Sequence, residues 1–79
     1  MSVRLAGDVI ILEGDCPVDE AEALLELLLA NPGAPVDWSA CGHLHTAVVQ
    51  VLLAARPPME GEPAPPFLRQ WIAPVIHHK

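Results

Sequence analysis

Three segments near the start of this chain leave little choice of fold. Val9-Ile10-Ile11-Leu12 is apolar and rich in β-branched residues, the pattern of a well-buried strand. Ala21, Leu24, Leu25 and Leu28 then recur at three- and four-residue spacing, while Glu20, Glu22 and Glu26 take the wet side, which is the pattern of an amphipathic helix. Leu27 and Leu29 widen its apolar surface beyond one stripe. Val36-Asp37-Trp38-Ser39 alternates apolar and polar residues over a short further strand. Strand, helix and strand at this spacing make a βαβ unit, so the two strands are expected to lie parallel with a right-handed crossover.

The remaining elements attach to that unit. Val3 to Leu5 reads as a first strand, and Ala6-Gly7-Asp8 as the turn that folds it back as a hairpin on residues 9–12. Gly14-Asp15-Cys16-Pro17 breaks the chain, Asp19 is placed to cap helix one with Glu22 closing a capping box, and Asn31-Pro32-Gly33 ends that helix. Helix two runs from about Leu44 or Thr46 to Ala55, with Gln50 as its only polar interior residue, so it is expected to be buried on more than one side. Arg56-Pro57-Pro58 stops it. Residues 57–66 hold five prolines, two glutamates and Gly61 and read as an extended linker. A last helix over 66–76 carries Phe67, Leu68, Trp71, Ile72, Val75 and Ile76 on one stripe, with Pro74 expected to kink or end it near Ala73. The tail His77-His78-Lys79 is expected to fray. The expected architecture is therefore one α/β domain over residues 1–79: a short mixed sheet in the order β-β-α-β-α-α with helices on one face, and a core within residues 3–55.

Composition narrows the function. The net charge is −6, and Lys and Arg together number four. So few cations cannot neutralise a phosphate backbone, which excludes nucleic acid as a partner and weighs against docking on anionic membrane. Eight acids fall in the first half of the chain, which suits a partner with a basic face. No apolar stretch has the length of a membrane span. The first residues show no basic region followed by an apolar run, so no leader peptide is expected. Cys16 and Cys41 do not make a disulfide framework, so free thiols in the cytoplasm are the expectation. No Gly-rich phosphate loop, nucleophile elbow or CxxC pair is present.

The one stretch that looks like chemistry is the turn after residues 36–39. It delivers Thr46 to the start of an apolar helix, where a phosphate would meet free backbone N–H groups and the positive dipole end. Two segments carry a family resemblance. Leu12-Glu13-Gly14-Asp15 precedes Ala21-Glu22-x-Leu24 in helix one, and Val36-Asp37-Trp38-Ser39-Ala40 is followed by His45-Thr46-Ala47. Over roughly residues 3–55 the chain resembles the STAS domain, the fold of anti-sigma factor antagonists and of the STAS-like subunits of lipid-transport ABC systems. Val36–Ala40 looks like the family's DLSG strand end, and His45-Thr46 stands where the family has Asp-Ser/Thr before helix two. In this chain His45 replaces that Asp, Val48 and Val49 replace the usual Gly-Leu, and no clear fourth strand follows helix two. The resemblance implies a non-enzymatic protein-interaction module in which the hydroxyl of Thr46 is a phosphorylation site or a partner contact. The partner it implies is an anti-sigma factor, a kinase-like regulator or an ABC-transporter subunit.

Plainer roles stand beside each candidate. Thr46 can be an ordinary N-cap, worth about 1 kcal/mol. Asp37 can bond backbone N–H groups of the neighbouring turn instead of a partner. Cys41, His43 and His45 alternate along an extended segment and could converge as metal or ligand contacts, against a buried cysteine and two turn histidines. Their clustering in one segment argues against a specific zinc site, and no cofactor is expected. Asp15, Asp19 and Glu22 read as a solvated helix start, Trp38 as core or interface. The apolar surplus on helix two and on the Phe67–Ile76 stripe predicts a homodimer or a constitutive partner.

Overall fold

The computed structural model describes residues 3–76. Four strands form one mixed sheet in the order β1-β2-β3-β4. β1 (Val3–Ala6) and β2 (Val9–Cys16) make the antiparallel hairpin, with Leu5 opposite Ile10. α1 (Asp19–Ala30) crosses over to β3 (Val36–Leu44), which lies parallel to β2 with Ile10 opposite Val36. α2 (Thr46–Ala55) crosses to β4 (Met59–Glu60), parallel to β3. Ile10, Leu12, Val36 and Trp38 turn one face of the sheet into the core, where they meet Leu24 of α1, Val48 and Leu52 of α2, and Leu68 and Ile76 from the C-terminal segment. The opposite face carries Arg4, Ile11, Asp37 and Glu60 in adjacent register positions. No helix among the described residues is long and apolar enough to cross a membrane.

Both inner strands are longer than their hydrophobic runs. β3 continues five residues beyond Ser39, and its core-facing residues are Val36, Trp38, Cys41 and Leu44. The spacing changes from two to three because β3 is bulged twice against β2. Ile11 pairs with Asp37 but Glu13 with Ala40, and Gly14 pairs with Cys41 but Asp15 with His43. Each bulge adds one residue to β3 and returns the next large side chain to the core. β2 accordingly runs through Gly14 and Asp15 to Cys16 instead of breaking there.

The expected linker is part of the domain. Met59 pairs with Val36, whose N–H donates to Pro58 O at 2.8 Å, and Trp38 Nε1 donates to Gly61 O at 3.1 Å. Pro63 is fully buried. Prolines are tolerated here because β4 is an edge strand, with one side free of any pairing demand.

Helix termini also differ from expectation. Val18, not Asp19, occupies the cap position of α1, and no side chain caps it. Glu20 N–H and Ala21 N–H donate instead to Pro17 O and Val18 O, so tight backbone turns serve these first donors. Asp19, Glu20 and Glu22 remain favourable in the first turn through the helix dipole. Leu25 and Leu29, read as apolar-face residues, are 42% and 72% exposed, while Leu27 and Leu28 pack against the core.

At the C-terminus a π-helical stretch, Leu68–Ile72, leads into α3 (Ala73–Ile76). Ala73 N–H donates to Leu68 O, five residues back. An α-helical Pro74 ring would press on the carbonyl four residues earlier, and the wider π turn relieves that clash, so the helix passes through the proline instead of ending there. The expected single stripe divides into two rows. Leu68, Ile72 and Ile76 pack inward, while Phe67, Trp71 and Val75 are 64%, 66% and 50% exposed. The expectation for the tail 77–79 lies outside the described residues.

Candidate functional site: the carboxyl-end turn between β3 and α2

The parallel strands β2 and β3 end side by side at Cys16 and Leu44. His45 N–H continues the ladder by donating to Cys16 O at 2.9 Å. The chain then turns into α2 with extended backbone at His45 and helical backbone from Thr46. This is the carboxyl edge of the parallel strands, where open α/β sheets present their loops for binding.

His45 is the cap of α2. Its imidazole Nδ1 accepts the Ala47 N–H at 3.0 Å. Thr46 is therefore the first helical residue and not the N-cap, and its side chain is exposed. His43 is exposed on the same edge, opposite Asp15 in register, and Asp15 is exposed too. Asp15, read from sequence as part of a solvated helix start, thus joins the turn. The bulge that leaves Gly42 out of the ladder makes this pairing, and no sequence periodicity marks a bulge.

The remaining candidates lie elsewhere. Cys41 faces the core and His43 faces out, because the Gly42 bulge breaks the alternation that would put them on one side. Among the described residues no group of three His, Cys, Asp or Glu side chains is placed to hold a metal ion. Asp37 sits near the far end of β3, roughly 25 Å of strand from Thr46. Its Oδ1 accepts from Ser39 Oγ at 2.6 Å and from Ser39 N–H at 2.9 Å. Those bonds, the hydroxyl first, hold the Asp37 carboxyl below its ordinary range. This local turn accounts for Asp37 as sequence reading allowed, and it does not bring Asp37 to the turn at Thr46.

Beneath the turn, Cys16 and Cys41 are free, buried and in contact with each other. Contact with the Cys41 thiol, followed by burial, pushes the Cys16 thiol well above the ordinary range. Cys41 Sγ–H also points to His43 O at 3.7 Å. Both thiols are enclosed by the core, so the pair packs beneath the site as small apolar groups.

One surface beside the turn was not foreseen as a groove. Between α1 and α2 lies an open depression of about 560 Å³, mainly apolar, that begins at Ala47, one residue past Thr46. Its signal in the sequence was the surplus of Leu and Ala on both helices.

Comparison with family models, with curated proteins and with solved structures gives no significant match.

Proposed function

We propose that this chain is a non-enzymatic, STAS-like protein-interaction module working in the cytoplasm of a bacterial-type regulatory or transport system. It docks a partner through the His43–Thr46 turn and the adjoining end of α2, and a phosphate on Thr46 tunes the fit. The observation that carries this reading is the exposed hydroxyl of Thr46 at the first residue of α2, at the carboxyl edge of the parallel strands. β4 supports it as well, because it supplies the strand after helix two that the resemblance calls for and that the residues do not display. The hydroxyl has no capping duty, since His45 performs it. A phosphate on Thr46 would bring about −1.5 to −2 charges to the positive dipole end of α2, where the Ala47 N–H is already taken by His45. Asp15, near His43, would repel it, so a partner's cations decide whether the modified turn is captured or released.

The test uses wild-type, Thr46→Ala, Thr46→Glu and His43→Ala chains as quantitative affinity baits in extract from the source cells. Mass spectrometry of the endogenous chain for phosphate at Thr46 accompanies it. The reading expects one partner whose recovery changes with Thr46→Glu more than with Thr46→Ala, and falls with His43→Ala. Equal recovery by all four baits places the working surface elsewhere.

A further inference from the structure

The exposed row Phe67, Trp71 and Val75 and the groove between α1 and α2 are both apolar and lie outside the core, and they have opposite shapes. The row is a ridge: three large side chains at i, i+4 and i+8, each at least half exposed. The groove is its negative: an open depression lined by small Ala21, Ala47, Ala54 and Ala55 together with Leu25, Leu29 and Val51. Within one chain they do not meet. The C-terminal helical segment meets α2 at α3 and turns Leu68, Ile72 and Ile76 into the core, which points Phe67 and Trp71 outward.

Charge matches shape. Glu22 lines the groove, and Glu26 is exposed one turn further along α1. No cation lines it. The chain beyond Glu62 holds no acid; it carries Arg69, Lys79 and two histidines. Arg69 is exposed in the same helical segment, two residues from both Phe67 and Trp71, and among the described residues its guanidinium has no ion-pair partner. An apolar groove with an acid on its lining and a basic segment that bears an apolar ridge are complementary in both respects, although the chain as a whole is strongly acidic.

We propose that a second copy of this chain fills the groove: the Phe67–Trp71–Val75 ridge of each protomer seats between α1 and α2 of the other, with Arg69 beside Glu22. This goes beyond the docking role of the Thr46 turn and does not depend on it. Seating one ridge hides about 300 Å² of its side chains and a similar area of groove wall. Two reciprocal seatings in a twofold dimer pass the roughly 1,000 Å² that a specific interface needs, whereas a single seating does not.

Sedimentation velocity of the full chain, from low micromolar to about 100 µM, tests the proposal. The expected result is a reversible monomer–dimer equilibrium. Trp71→Ala, at an exposed position, weakens it at least about tenfold with circular dichroism unchanged. Charge reversal then identifies the mating surfaces. Glu22→Arg and Arg69→Glu each oppose like charges in both seatings and weaken self-association about tenfold. An equal mixture of the two variants restores both ion pairs in the heterodimer and recovers wild-type association. Dimers indifferent to Glu22→Arg, or no recovery in the mixture, would overturn the proposal in favour of a ridge-to-ridge contact. A wild-type chain that stays monomeric throughout would also overturn it, and would leave the groove to a basic amphipathic helix of another protein.

Discussion

Gly61 is the position where one added methyl group should cost most for its size. The residue lies just after β4 with φ at +75°, and a Cβ there would sit 2.9 Å from Ser39 Cβ and 3.3 Å from Asp37 Oδ1. Its carbonyl also accepts the bond from the buried Trp38 indole, so moving its backbone disturbs the largest core side chain. Gly7 offers an internal control: φ is +61°, and nothing lies within 4 Å of a built Cβ. Gly7→Ala carries only the left-handed backbone penalty, about 1 kcal/mol. Gly61→Ala adds an overpacking term of roughly 1–3 kcal/mol, because the clashing atom is a β-carbon held by a strand and not the free end of a long side chain. The total is about 2–4 kcal/mol, out of a folding stability of roughly 4–12 kcal/mol for a chain of this length. It should lower the melting temperature by at least about 10 °C. Urea unfolding followed by far-UV circular dichroism, at one temperature and buffer, measures both variants. A loss at Gly61 within about 0.5 kcal/mol of the loss at Gly7 would refute the close approach of β4 to the Ser39 bulge.

Other expectations concern the turn and its surroundings. Thr46→Ala should change stability by less than about 0.5 kcal/mol, whereas His45→Ala should cost about 1 kcal/mol by uncapping α2; urea titration of both separates the cap from the exposed hydroxyl. Asp37 has a depressed carboxyl pKa, so its contribution to stability is complete above the ordinary carboxylate range and is lost as pH falls through the depressed value. Ser39→Ala should move the Asp37 titration upward in a carbon-detected NMR titration; an unchanged midpoint would rule out the Oγ bond. A thiol reagent should label neither Cys16 nor Cys41 in the native protein and both in denaturant, and rapid native labelling would contradict their burial.

What could be read from the residues alone was the part governed by simple periods. Val9–Leu12 and the three- and four-residue spacing in α1 led to the parallel β2–β3 pair and its crossover, as found. Helix two was placed to within its true start because the apolar run begins beside a turn. Departures occur where geometry departs from a period. β3 counts in threes after Trp38, so Cys41 and Leu44 fell outside the expected strand, Leu44 as a possible start of helix two, although both belong to β3 and face the core. β4 is two residues among prolines, too short for any pattern, and is held by bonds to β3 that only the fold supplies. The π turn rotates one row of the C-terminal stripe to solvent, and no hydropathy pattern distinguishes Leu68 from Phe67. At the site, Thr46 was legible as an exposed helix start. The transfer of the capping duty to His45 was not, because histidine is a less usual cap than the threonine beside it.

The placement of the two tryptophans gives the protein its own pair of optical reporters. Trp38 is sealed in the core with its indole N–H bonded to a backbone carbonyl, and Trp71 stands in water on the ridge. Native emission should therefore contain a short-wavelength component that small polar quenchers reach poorly and a long-wavelength component that they quench freely. Unfolding shifts the first toward the red. Covering the ridge shifts the second toward the blue and shields it while leaving the first unchanged. A single fluorescence titration can then separate loss of the fold from occupation of the surface, with no label attached.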